Sequence, residues 1–263
     1  MKKRCLLLVV LLVTAVIGLG CQSKKGELSQ DHGSVQLTVS AAASLKDVLT
    51  ELASKFEKEH KSVKIRFNFG SSGALQQQIE QGAPVDLFFS ASEDKFNKLV
   101  SNDFILQNNS VKLLKNDLVL IIPKGKTQEI KSFKDLTKDN VEKLAIGIPE
   151  SVPAGKYAKE TLSNLHLWNQ VQSKLVYGKD VRQVLSYIET NNADAGIVYQ
   201  TDALASDQIK IVDIAKNNLH SPIIYPLGIV ENTKHPRQSQ EFYQFLQSDQ
   251  AIEAMEKYGF KKG

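Results

Sequence analysis

The sequence predicts an α/β fold in two lobes, each a mostly parallel sheet with helices on both faces. Three observations carry this expectation. Strand-like and helix-like patterns alternate almost throughout the chain, the signature of repeated β–α units. The alternation falls into two sets that part near residues 118 and 225. The 263 residues are 42% hydrophobic and 24% charged, an ordinary globular composition with enough chain for two lobes.

The N-terminus is set apart from the fold. Lys2, Lys3 and Arg4 precede an apolar run from Leu6 to Ile17, "LLLVVLLVTAVI", which is short for a permanent membrane span. Small residues then lead to a single cysteine in "IGLGCQS". This arrangement resembles a bacterial lipoprotein signal, cleaved after Gly20 and acylated on Cys21, although Gly18 stands where Leu is more usual. A plain secretory signal is the alternative. Residues 1–20 are therefore expected to be the signal and 21–34 a tether, since "QSKKGELSQDHGS" lacks apolar periodicity. Cys5 leaves with the signal and Cys21 carries lipid, so no thiol nucleophile, disulfide or cysteine metal site remains. Three of the 33 basic residues and none of the 29 acidic ones precede Cys21, leaving 30 against 29. Such a balance gives no footprint for nucleic acid.

Strand "VQLTV" (residues 35–39) opens the first lobe, and Leu45, Val48, Leu49, Leu52 and Phe56 then recur at helical spacing. "VKIRFNF" (63–69) is the next strand, and "GSSGALQQQIEQG" is a turn and a helix ending near Gly82. "VDLFFSA" (85–91) reads as a buried strand, with a short helix around Phe96 to Val100. "LVLIIP" (118–123) begins the second lobe and "KLAIGIP" (143–149) continues it. Pro153 marks a first helical position in "VPAGKYAKETLSNL". "KLVY" (174–177) passes through "GKD" into a helix whose apolar face is Val181, Val184, Leu185 and Ile188. "AGIVY" (195–199), "TDALAS" and "IKIVDI" follow, then the extended run "IIYPLGIV" (223–230) and two helical segments. The expected division is 35–117 and 226–263 in the first lobe and 118–225 in the second.

Motifs for chemistry are lacking. His32, His60, His166, His220 and His235 are scattered without metal-ligand spacing. In "GIPESVPAGKY", Glu150 and Tyr157 stand where a phosphate loop requires Gly and Ser or Thr. Ser44 has Lys46 two residues on rather than three, and no G-x-S-x-G elbow occurs. Asp86 is a lone carboxylate suited to holding a loop, Asp180 to capping a helix, and Arg182 reads as a solvated helix residue. No enzyme activity is expected.

Four strand–helix joints share one feature. Small or turn-forming residues stand at each mouth: Ser44 after "AAA", Ser71-Ser72-Gly73, Pro153-Ala154-Gly155 and Gly178-Lys179-Asp180. Helix starts lie at the carboxyl edge of parallel strands, where ligands bind, and their first N–H groups point outward unpaired. Two joints fall in each lobe, so facing lobes could aim four helix starts at one cleft, with the Tyr199 hydroxyl at a fifth strand end. Donors without formal charge suit a compact, fully deprotonated oxyanion. Singly, each joint reads as an ordinary cap or tight packing.

Together, "AAASL", "SSGAL", "GAPVDLFFSA", "VPAGKYAKE", "DVRQVL", "GIVYQTDA" and a terminal "YGF" resemble the molybdate-binding proteins of bacterial ABC importers, which are two-lobed type II solute receptors. The match runs along nearly the whole mature chain in order and spacing. The resemblance implies the type II periplasmic-binding-protein fold, with two crossover hinge strands near 118–122 and 224–230. It implies a lipid-anchored extracytoplasmic receptor for molybdate, and tungstate too, delivering the ion to an ABC permease as a monomer. Carried over by motif, the oxyanion ligands are the hydroxyls of Ser44, Ser72 and Tyr199 and the backbone N–H groups of Ala154 and Val181. No cofactor is implied, and the metal is bound only as its oxyanion. Gly73 and Gln200 depart from residues often seen in the family. A same-fold receptor for sulfate is the nearest alternative; a serine hydrolase is more distant.

Overall fold

The computed structural model describes residues 34–125 and 130–263. The expected signal, the tether up to Gly33 and the expected lipid site Cys21 lie outside the described residues.

β1 (Val35–Ala42) alternates at first, with Gln36 exposed and Leu37 buried, and is buried at every residue from Val39 onward. The period of two fades because both faces of the sheet are covered there. A single 3₁₀ turn, Ala43–Leu45, leads into α1 (Lys46–Glu59), which buries Val48, Leu49, Leu52 and Phe56. β2 (Val63–Gly70) runs parallel to β1. α2 (Ser72–Glu80) ends where Gly82 takes a φ of +85°, a left-handed conformation open to glycine without strain. β3 (Leu87–Phe89) flanks β1 on its other side, and α3 (Glu93–Ser101) follows. β4 (Ile105–Lys115) has no counterpart in the sequence reading. Its polar run from Gln107 to Ser110 breaks any alternation, and two register shifts mark its pairing with β10 (Ile224–Val230).

In the second sheet, β5 (Leu118–Pro123) is buried at every residue. It is followed by β6 (Leu144–Gly147) and by α4 (Pro153–Asn164), with Pro153 at its first position as the sequence predicts. A short α5 (Trp168–Val171), β7 (Leu175–Gly178) and α6 (Val181–Glu189) come next. α6 buries the four apolar residues expected of it. β8 (Ala195–Tyr199), α7 (Gln200–Leu204) and β9 (Ile209–Ile214) complete the set. After β10, the chain ends in α8 (Pro236–Leu246), α9 (Asp249–Lys257) and β11 (Lys261–Lys262).

The first sheet has six strands in the order β11-β4-β10-β3-β1-β2, and the second has five, β7-β6-β8-β5-β9. The sheets are mixed rather than mostly parallel. β1 with β2 and β3, and β6 with β7 and β8, are parallel, as their β–α–β connections require. β5 and β10 run against their neighbours. The chain leaves the first sheet between Lys115 and Leu118 and returns between Ile214 and Ile224, so each of these strands opens directly after a passage.

What matters for a ligand is where the parallel strands end. Ala42 pairs with Gly70, and Gly147 with Gly178. Each sheet therefore presents two adjacent strand ends, each leading toward a helix start. Among the described residues, no helix is long and apolar enough to cross a membrane.

Candidate functional site

The five residues expected to meet a ligand line one small cavity, far below the roughly 300–1,000 Å³ of pockets for drug-sized molecules. Ser44, Ser72, Ala154, Val181 and Tyr199 all face it, and none of its twelve lining residues carries a formal charge. Such a lining suits a small ion held by hydrogen bonds.

Each contributor is placed by its local structure. Ser44 lies in the 3₁₀ turn after β1 and caps no helix, since α1 starts from Leu45 without a side-chain cap. Its hydroxyl instead meets the Tyr225 hydroxyl at 3.0 Å. Ser71 is the N-cap of α2, accepting from Ala74 N–H at 3.4 Å, which leaves the next serine free of that duty. Ser72 Oγ accepts from Ala91 N–H at 2.9 Å, so its own hydrogen remains for another acceptor. Ala154 and Val181 are the second and first residues of α4 and α6, where backbone N–H groups have no intrahelical partner. Asp180 caps α6 as its position predicts, accepting from Gln183 N–H at 2.9 Å. Gly155 lets α4 start close to β6: a Cβ there would lie 2.0 Å from the Gly147 carbonyl oxygen.

Tyr199 is 1% exposed, and its hydroxyl has no hydrogen-bond partner. Burial pushes the hydroxyls of Tyr199 and Tyr225 well above the usual tyrosine range, so both stay protonated donors near neutral pH. A buried donor without an acceptor is rare in native proteins and calls for an explanation.

Four contacts join first-sheet elements to second-sheet elements around the cavity. Gly73 N–H donates to the Ser151 carbonyl at 3.0 Å, and Lys95 Nζ donates to the Glu150 carbonyl at 3.0 Å. Lys156 pairs with Asp94 at 3.1 Å. Arg182 pairs with Asp47 of α1 at 2.6 Å and with Asp202 of α7 at 2.7 Å. Arg182 is thus no solvated helix residue, as a reading of its own helix suggests. Carboxylates arriving from two other helices enclose it, and neither is visible within α6. Burial pushes the wholly buried Asp202 carboxyl up to about 7, against the pull of the Arg182 guanidinium. Burial also works against the charge on Arg182, and the two carboxylates more than restore it.

Other singled-out residues are structural. Asp86 accepts from Thr38 N–H at 2.7 Å and from the Thr233 hydroxyl, clamping β3 to β1 and to the loop after β10. Asn116, Thr201 and Tyr225 were not legible as site neighbours. Tyr225 lies 181 positions from Ser44, beyond any local pattern.

Known proteins match this chain over most of its length. A family model described as bacterial extracellular solute-binding protein matches residues 37–261. A Bacillus subtilis (strain 168) protein, provisionally named ABC transporter substrate-binding lipoprotein YvgL, is 52% identical over 99% of both chains. The molybdate-binding protein ModA of Haemophilus influenzae is 39% identical, over 86% of this chain and 90% of its own. Among solved structures, the periplasmic molybdate-binding protein of Azotobacter vinelandii superposes with a TM-score of 0.77 at 24% identity, covering 85% of this chain and 98% of its own; that likeness shows the fold. Two sheets facing one uncharged cavity, and a family match over nearly every described residue, place this chain among the bacterial extracellular solute-binding proteins.

Proposed function

We propose that this receptor binds molybdate, and tungstate as well, as a fully deprotonated tetrahedral oxyanion, and delivers it to the permease of an ABC importer. The observation that carries the reading is the Tyr199 hydroxyl, buried and unpartnered in a cavity that two serine hydroxyls and two helix starts also face. An anion there would give every one of these donors an acceptor. Hydrogen bonds to a charged group are worth roughly 1.5–3 kcal/mol each, so five suffice for tight binding without a counter-charge in the lining. The identity of the ModA relative supports molybdate as the ion.

The ligand roles assigned are hydroxyl donation by Ser44, Ser72 and Tyr199 and backbone donation by Ala154 and Val181. The contacts across the cavity support closure of the two lobes, 35–117 with 226–263 against 118–225, around the ion. The protein acts as a monomer held at the outer face of the cell membrane by lipid on Cys21. That last point rests on the N-terminal sequence and the name of the YvgL relative. Substituting Cys21→Ser should move the protein from the membrane fraction to the soluble fraction, and retention in the membrane would remove the anchor.

Isothermal titration with molybdate, tungstate, sulfate and phosphate tests the ligand. One-to-one binding of the first two, with the others silent, is expected. Tight sulfate binding would keep the mechanism and change the substrate, and silence toward all four would end the oxyanion reading.

A further inference from the structure

Ser44 is the end of a buried chain of hydrogen bonds whose direction can be worked out. The chain begins at Asn116, in the passage between β4 and β5. Asn116 Oδ1 accepts from the Asp117 N–H at 2.9 Å, which fixes the orientation of the amide and leaves Nδ2 as a pure donor. Nδ2 donates to Thr201 Oγ1 at 2.9 Å and to the Tyr225 hydroxyl oxygen at 3.1 Å. Tyr225, wholly buried on β10, then has one hydrogen to give, and its remaining hydrogen-bond partner is Ser44 Oγ at 3.0 Å. The arrangement that leaves the Tyr225 hydrogen paired has Ser44 accept from Tyr225, and the serine's own hydrogen must then find its acceptor elsewhere. Ser44 lines the cavity.

We propose that Tyr225, itself held by Asn116, is a positioning residue that fixes Ser44 as a hydrogen donor and thereby disfavours oxyanions that carry a proton. The proposal rests on the oxyanion reading of the site. A serine hydroxyl with free rotation can donate or accept, and one that accepts would welcome the O–H of a hydrogen arsenate or hydrogen phosphate. Occupying one of its two lone pairs from within the protein turns the hydroxyl hydrogen toward the cavity and weakens that option. Ser72 is treated the same way, by the Ala91 N–H at 2.9 Å. The two serine hydroxyls thus receive a hydrogen bond from behind, from different elements, and both are set to donate to the anion rather than accept from it. A proton on the anion then costs hydrogen bonds that those donors would make, which counts against protonated ions.

The chain also ties the site to both passages between the sheets. Asn116 N–H donates to the Ile223 carbonyl at 3.2 Å, so the outgoing and returning segments are joined where the relay starts. Tyr225 is kept in place by more than its hydroxyl. Its ring packs edge-on to those of Tyr199, 5.8 Å away between centroids, and Phe260, 5.4 Å away. Phenylalanine can therefore fill its position while removing only the oxygen.

A double-mutant cycle tests this. Molybdate and hydrogen arsenate affinities would be measured by isothermal titration for the protein, Tyr225→Phe, Ser44→Ala and the double variant, with melting temperatures to confirm folding. Tyr225→Phe is expected to weaken molybdate about tenfold in the parent and by less than about twofold when Ser44 is already alanine. It should also raise the affinity for hydrogen arsenate relative to molybdate. An equal loss in both backgrounds, or unchanged selectivity, would show that Tyr225 acts only through packing and would overturn the proposal. If Tyr225→Phe does not fold, Asn116→Ala, which frees the tyrosine to accept from Ser44, supplies the same cycle with the same criteria. Failure of the parent protein to bind molybdate at all would instead remove the oxyanion reading.

Discussion

Leaving a buried hydroxyl unpaired costs roughly 1–3 kcal/mol, and Tyr199 is left so in a cavity otherwise lined by small, uncharged residues. A residue kept at that cost for a ligand should trade stability against binding. Tyr199→Phe is expected to leave the melting temperature of the unliganded protein unchanged or higher, while weakening molybdate at least about tenfold. A drop in melting temperature with unaltered affinity would give the tyrosine a purely structural role. Backbone donors make the opposite pattern at Val181. Val181→Ala keeps the N–H and should bind nearly as well as the parent, whereas Val181→Pro deletes it at a helix position that tolerates proline and should bind weakly. Equal titration curves for the two would remove that amide from the site. The five residues were named by the resemblance to the molybdate receptors, and the structure gathers them on one cavity at strand–helix joints. The residues behind them were not legible. Tyr225 and Asn116 lie 109 positions apart and meet only through tertiary packing.

At the scale of elements, the sequence reading succeeded where a segment's own periodicity decides its structure, as in α6, and failed where pairing decides it, as in β4. It also misjudged strand direction, because the passages between sheets deliver β5 and β10 antiparallel to their neighbours. The joins between elements across the cavity carry the next expectation. Gly73 opens α2 against the second sheet, and a Cβ there would lie 2.6 Å from the Ser151 carbonyl oxygen. Gly73→Ala should therefore push the two sides apart and lower molybdate affinity while leaving the melting temperature of the unliganded protein little changed. Parent-like affinity would show that this approach is not needed for binding.

At the scale of the whole molecule, Arg182 is the residue on which several elements converge, linking α6 to α1 and α7. Removing it leaves Asp202 fully buried without its counter-ion, a change that costs roughly 3–5 kcal/mol when the remaining charge persists. The loss should depend on pH. Asp202 ionises at about 7 in the folded protein and near 3.9 when unfolded. The folded state therefore binds an extra proton between those values, and this group's contribution to stability grows as pH falls from 7 toward 4. Arg182→Met should accordingly be far less stable than the parent at pH 8, with the gap narrowing at pH 5, where Asp202 is neutral in both. A gap that stays constant between pH 8 and pH 5 in thermal melts would contradict that assignment. All of this surrounds one central claim, that uncharged donors from two facing sheets converge on a single oxyanion. A crystal structure grown with molybdate, with the metal located by its anomalous scattering, tests it most directly. The account predicts one molybdenum peak in the cavity, its oxygens within hydrogen-bonding distance of the Ser44, Ser72 and Tyr199 hydroxyls and the Ala154 and Val181 amides. A peak elsewhere, or an empty cavity in protein that binds molybdate in solution, would contradict it.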